Sequence, residues 1–511
     1  METQFEPVIE AGPRGPVVLS DEASALPRVQ DGYAATWLGR LAWLLAVLFL
    51  CTFLILAIER ARYPFELEWI EGGLLDEMRR VRAGQGLYVA PSVDYVPFIY
   101  NPLYFWTSSL VSLAFGENFF SMRLVSLLSA LFSFLGIGAL VRRESGSVVG
   151  GWLGAGLYAA TFPLSVQFMD LARVDSLFVA LVVATLWVLR SQPTLPGRCL
   201  AAGLLLACFL TKQSGLLTIA PLGLFLLWDG LQTATSLRGR LLAALPPLLV
   251  AAGVGLSVLL LQAASEGWYF YYAFELPREH RLVASLWVDF WTVDLMSPLG
   301  FACLGALFVL VGPSELPLRA RLLWSAGLVG VLMTSWSSRL HDGGWTNVVM
   351  PTHALLAPLA ALAAVTGFRL ASGLSDAVQR ARAQWFVQGA MVLQLAMLLY
   401  DPRACVPSAR DLQAGLSIVD TLRAAHGDVF VPTNSYLSTL AGKQPHLHEM
   451  AVRDVFRGPR HPAADQLRRD IAQSLAQKRW SLVITDNNFY ADHVLAHYAR
   501  WKVAVQEPEV F

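Results

Sequence analysis

Glu66, Glu68 and Glu71 lie close together in YPFELEWIEGG, directly after a long apolar run. A carboxylate held where a loop meets a partly dehydrated membrane interface binds protons more tightly than one in water, which suits it to take a proton from a hydroxyl. A single glutamate there could simply solvate the loop mouth, whereas a cluster favours chemistry. Gly72-Gly73 then allows a close backbone approach. Leu74 to Val81, carrying Asp76, Glu77, Arg79 and Arg80, reads as an amphipathic helix resting on the membrane.

Other short stretches carry charge beside apolar runs. MDLARVDSLF brings Asp170, Arg173 and Asp175 to the boundary between two runs, and on a helix Arg173 would face Asp170 at i, i+3. LTKQSGLL sets Lys212 and Gln213 in a very short turn. A lysine there could merely snorkel to the headgroups, but an ammonium at the bilayer surface also attracts a lipid phosphate. Arg123, in FFSMRLVSLL, is the other phosphate candidate. SSRLHDGGWTNVVM carries Arg339, His341, Asp342 and Asn347 around Gly343-Gly344. Those glycines would let backbone N–H groups approach an anion or a sugar, and the plainer alternative is a polar turn. FELPREHRLVASLWVDFW adds Glu275, Arg278, Glu279, His280 and Arg281 among aromatics, a composition suited to a lid over an interfacial substrate. His446 to Glu449 spells HLHE, yet neighbouring loop residues rarely all ligate one ion, so no metal site is assigned. Walker loops, G-x-S-x-G elbows and HExxH are missing from the sequence, so nucleotide-driven pumps and the common hydrolases lack their signatures.

The elements that must position these residues follow from composition. The chain has 511 residues, 55% of them hydrophobic and 15% charged, with a mean hydropathy of +0.50. That is more apolar surface than one soluble core can hide, so lipid must cover the excess. The net charge is zero and no basic stripe with interleaved aromatics occurs, which argues against nucleic acid as a partner. The five cysteines show no CxxC spacing, so neither a zinc site nor a disulfide framework is expected.

Apolar runs long enough to cross ~30 Å of hydrocarbon begin near Leu41, Met122, Val148, Asp175, Cys199, Gly215, Leu241, Phe290, Leu322, Val348 and Trp385, giving an all-α polytopic membrane protein of about eleven spans. The shorter run Pro102 to Phe115 suits an interfacial helix. Arginine-rich short loops (Arg142-Arg143, Arg190 with Arg198, Arg238 with Arg240, Arg319 with Arg321, Arg369 with Arg380 and Arg382) alternate with poorer ones, and the positive-inside rule places them in the cytoplasm. All of the candidate residues then share the outer face. The expected organisation is a disordered cytoplasmic tail over 1–37, a transmembrane domain over 38–400 with a large first outside loop at 59–121, and a small soluble extracytoplasmic α/β domain over 401–511. In the last, Asp411 to Ala425 and Ala464 to Gln477 have helical spacing, and Val429 to Pro432 and Ser481 to Thr485 are strand-like.

Over Leu41 to Leu370, the ordered pieces ELEWIEGG, RAGQGLY, YNPLYFW, MRLVSLLSAL, LARVDSLF, LTKQSGLL and HDGGWTN resemble the membrane-embedded GT-C glycosyltransferases, in particular the bacterial group related to protein O-mannosyltransferases and the lipid A aminoarabinose transferase. The resemblance implies inverting transfer of a sugar from a polyprenyl-phosphate donor to a glycan, lipid or protein acceptor at the outer face of the inner membrane. An acid of the first outside loop would act as base, and cations would stabilise the departing lipid phosphate. The family's Asp-Glu pair is absent, and Glu68 holds the nearest equivalent place with Glu66 and Glu71 as competitors. Lys212, Arg123 and Arg173 are the phosphate candidates, joined by Gln213, Asp175, His341, Asp342 and Asn347 around the substrate. No organic cofactor is implied, although one branch of the superfamily uses a divalent cation. The alternative from another class is a transporter or a lipid-linked saccharide flippase, which would carry ionisable groups deep in its spans.

Overall fold

A computed structural model of the chain describes residues 32–505 except 314, 459–460 and 486–489, so the expected tail falls mostly outside the described residues. Its last part is ordered. Gly32–Ala35 forms a 3-10 turn, and Thr36 caps the first helix by accepting from the Gly39 N–H at 3.1 Å.

The apolar runs lie on helices, with the charged α2 among them: α1 (Trp37–Ala61), α2 (Glu71–Arg82), α3 (Leu103–Phe115), α4 (Phe119–Ser145), α5 (Val148–Ala160), α6 (Asp175–Ser191), α7 (Leu195–Thr211), α8 (Leu216–Gln232), α9 (Leu237–Ala264), α10 (Ser297–Val311), α11 (Leu318–Arg339), α12 (Met350–Ser372) and α13 (Ala377–Ala396). By length and composition, 6 helical segments among the described residues suffice to cross a membrane. The expected span from Val148 is cut short, because its helix ends at Ala160 and the chain continues to Val174 as turns and bends. α12 is buried along almost its whole length and forms the axis of the bundle, whereas α9 keeps few buried positions and runs along its periphery.

Two hydrophobic clusters divide the molecule. One fills the bundle around α12. The other joins the segment after α1, including α2 and residues 87–98, to the chain beyond residue 401. That C-terminal part contains α14 (Ala409–Ala424), β1 (Val429–Phe430), α15 (Tyr436–Leu440), α16 (Glu449–Arg457), α17 (Pro462–Ala476), β2 (Leu482–Val483) and α18 (Ala491–His497), with β1 and β2 paired in parallel. Helices α14 and α17 and both strands fall where their spacing predicts them, whereas α15, α16 and α18 lie where no element was expected. Its apolar residues, however, share one core with the first loop, so the two fold as one layer and not as a separate tail domain. The apolar face of α2 turns into this layer, where Leu74, Leu75, Glu77 and Met78 are buried, so protein covers the face that was expected to lie on the membrane.

The polar loops segregate to the two ends of the bundle. At one end Arg190 pairs with Glu144 at 2.7 Å, and Asp229 takes both Arg198 at 2.8 Å and Arg319 at 2.6 Å. At the other end Arg60 donates to the Cys405 carbonyl at 2.6 Å, and the segments around Arg60, Glu68, Asp170, Lys212, Tyr269 and Asn347 are tied together by the contacts described next.

Candidate active site

The acidic loop is fixed first by Arg123, on the second turn of α4. Its guanidinium meets Glu71 twice, at 3.1 Å from Nε and 2.6 Å from Nη2. It also donates to the carbonyls of Arg60, Tyr63 and Phe65 at 3.1, 2.7 and 2.7 Å. Those bonds use every N–H a guanidinium has. Glu71 in turn accepts from the Leu67 and Ala172 backbones, both at 2.6 Å, and both side chains are wholly buried. Burial alone would raise the Glu71 carboxyl, but the Arg123 charge and these hydrogen bonds outweigh it and hold it below the usual carboxylate range. Arg123 therefore has no donor left for a phosphate and Glu71 no exposed oxygen for an acceptor, which corrects the sequence expectation for both. They are the rivet between the loop and α4.

Glu66 is buried too. Its oxygens accept from Asn434 of the C-terminal layer and from the Gly72 N–H at 3.1 Å, and burial drives its carboxyl well above the usual range. The glycine pair serves this packing. A Cβ on Gly72 would stand 2.2 Å from the Tyr436 ring, and one on Gly73 2.5 Å from Phe98. What approaches these glycines is thus aromatic side chains of the loop layer.

Glu68 differs from both neighbours. It is partly exposed, and the bonds it accepts fall on one oxygen, Oε2, from Arg173 Nη1 at 2.7 Å and the Ile70 N–H at 3.3 Å. Partial desolvation raises its carboxyl, moderated by Arg173. Arg173 also donates to the Tyr100 hydroxyl at 2.7 Å and lies between the Tyr100 and Phe168 rings, 5.3 and 5.1 Å from their centroids. The residues between Asp170 and Asp175 are not helical, so Arg173 turns to Glu68, and Asp170 pairs with Arg60 at 2.7 Å in place of the expected Asp170–Arg173 contact.

Asp175, at the start of α6, links the remaining loops. Lys212 Nζ lies 2.9 Å from one of its oxygens and Asn347 Nδ2 3.1 Å from the other. Beside Lys212, the Gln213 amide donates to the Ile99 carbonyl at 2.9 Å. Asn101 bonds the Phe209 carbonyl at 2.5 Å and accepts from the Tyr269 hydroxyl at 3.1 Å. The segment Ile99 to Asn101 is thus the hub on which the turn before α6, the end of α7 and the later loops converge. Tyr100 is the member of the site that residue-by-residue reading missed, and its signal was the YNP triplet before the short apolar helix.

Among the described residues, buried polar atoms around this hub lack a hydrogen-bond partner: Arg173 Nε, Gln213 Oε1, Ser214 Oγ and Thr346 Oγ1. Buried polar groups are normally satisfied, so these atoms are available to a polar ligand. No group of three His, Cys, Asp or Glu side chains among the described residues is arranged to hold a metal ion.

His341 and Asp342 are not part of the cluster. His341 forms a bridge with Leu282, the Asp342 N–H donates to the Arg281 carbonyl at 2.9 Å, and a Cβ on Gly344 would meet the Ser338 carbonyl at 2.1 Å. These residues close their own turn and seat the 265–289 segment. That segment is held from the other side by the C-terminal layer, with His280 Nε2 3.1 Å from Asp454 and Trp268 5.2 Å from the His461 ring.

The fold is that of the GT-C membrane enzymes. Residues 97–256 match the family model described as dolichyl-phosphate-mannose-protein mannosyltransferase. The chain is similar to the crystal structure of ArnT from Cupriavidus metallidurans bound to undecaprenyl phosphate, with a TM-score of 0.58 at 13% identity over 90% of this chain and 96% of that one. The apo state of the same protein gives 0.53 at 16% identity over 78% and 84%. No curated protein matches the sequence.

Proposed function

We propose that this chain transfers a sugar from a polyprenyl-phosphate donor to an acceptor hydroxyl at the outer face of the cytoplasmic membrane, with inversion at the anomeric carbon. The observation that carries the reading is the convergence of Glu68–Arg173 with Lys212–Asp175–Asn347, around polar atoms left without partners. The matched family description, which names a dolichyl-phosphate sugar, and the undecaprenyl phosphate bound by a protein of the same fold support the donor class.

In the step proposed, the acceptor O–H gives its proton to Glu68 Oε1 as its oxygen bonds to the anomeric carbon. The bond from that carbon to the phosphate oxygen breaks, and the polyprenyl phosphate leaves with the electron pair. Arg173 and Lys212 stabilise the charge that develops on the leaving oxygen. Gln213 and Asn347 orient the donor beside them. Asp175 holds Lys212 in place, so a phosphate arriving there shares an ammonium already positioned.

Purified protein offered a panel of undecaprenyl-phosphate-linked mannose, glucose and aminoarabinose, with release of undecaprenyl phosphate as readout, tests the reading. Turnover abolished by Glu68→Gln supports it. Full turnover by Glu68→Gln, or translocation of the intact donor in proteoliposomes with no sugar released, overturns it in favour of another base or of a flippase.

A further inference from the structure

His446 and His448 alternate along an extended segment and so point apart. His446 turns to Asp94 at 2.9 Å, and His448 turns inward, 3% exposed, with Nε2 3.1 Å from the Trp69 carbonyl. The His448 Nδ1 accepts from the Met450 N–H at 3.1 Å, which requires the neutral ring with its proton on Nε2 and so makes Nε2 a donor to Trp69. Burial holds this ring neutral, with its pKa lowered to about 4.

On the other flank of Glu68, Asn434 donates to the Glu66 carboxylate, and the Glu66 N–H donates to the Tyr436 hydroxyl at 3.1 Å. Ser435, between them, donates to Asp76 at 2.6 Å. The residues immediately around Glu68 are thus gripped from both sides by the C-terminal layer, while among the described residues the Glu68 carboxyl takes its hydrogen bonds from Arg173 and its own loop.

We infer that His448 and Asn434 are positioning residues for the Glu68 base, and that the C-terminal layer is a working part of the active site through this clamp on residues 66–69. The inference rests on Glu68 being the base. It follows from the geometry of general base catalysis: a carboxylate must sit within hydrogen-bond reach of the acceptor proton, and a displacement of ~1 Å can lower the rate by about a hundredfold. The Glu71–Arg123 rivet holds the loop three residues downstream of Glu68, and His448 ties the Trp69 carbonyl to the layer above it.

The test compares His448→Phe, which keeps ring bulk and removes the donor, with His448→Gln, whose amide can donate to the same carbonyl. On a panel donor that turns over, His448→Phe is expected to lower kcat about ten- to a hundredfold with donor KM unchanged, and His448→Gln to recover most of it. Hydrogen exchange over residues 64–72 should speed up in His448→Phe and not in His448→Gln, a readout that needs no substrate. Wild-type kcat and wild-type exchange in His448→Phe would overturn the clamp. Should that variant fail to accumulate, Asn434→Leu carries the same expectations. If Glu68→Gln retains full turnover while exchange responds as stated, the clamp stands as a structural fact and the assignment of Glu68 as base is what fails.

Discussion

Glu71 with Arg123 and Glu68 with Arg173 pair the same two residue types within a few residues of each other, and only one pair has capacity to spare. Arg123 uses all its N–H groups on Glu71 and three carbonyls. Arg173 keeps an unpartnered buried Nε, and Glu68 accepts on Oε2 alone. The difference teaches how an ion pair becomes a rivet or a site. Charge is common to both, and what separates them is whether backbone groups have filled the remaining hydrogen-bond positions.

Breaking the closed pair should have the largest effect. Glu71→Ala or Arg123→Leu leaves a fully buried charge uncompensated, a loss of about 3–5 kcal/mol, so these variants should fail to accumulate as monodisperse protein in detergent. Arg123→Lys should not rescue, because an ammonium cannot reproduce the planar set of five donors. Next, Glu68→Gln should lower kcat about 10²- to 10⁴-fold while thermal unfolding shifts little, and the reverse pattern would exchange the roles of the two glutamates. Lys212→Met should weaken undecaprenyl phosphate binding about ten- to a hundredfold, the worth of a charge-assisted hydrogen bond, as read by ligand-induced thermal stabilisation.

The two carboxyls should also separate by pH. Glu68 is raised above its ordinary 4.5, so the unprotonated base is lost as pH falls and the acid limb of kcat should lie above 4.5. Glu71 is lowered, so its contribution is to stability: present above 4.5 and lost only as pH falls below it. Glu77 should show in stability and not in turnover, because its buried carboxyl is pushed up to about 8 by desolvation. A raised folded pKa favours the neutral form, so its contribution is complete below 4.5 and is lost as pH rises through 8, and Glu77→Gln should flatten the fall in melting temperature over that window.

The hydropathy of each run is a local property, so the sequence by itself determined the helices of the bundle and, in the C-terminal part, α14, α17 and the two short strands, and it grouped Glu68, Asp175, Lys212 and Asn347 on one face. It could not assign partners. Arg173 faces Glu68 and not Asp170 because the chain leaves helical geometry after Ala160, a tertiary accommodation that residue spacing does not encode. The same limit hid Arg123 as a rivet, seated His341 and Asp342 in a turn of their own, and concealed that residues 66–98 and 429–480 bury one core. Which donor is satisfied depends on backbone groups brought from distant segments, and only the folded chain decides that.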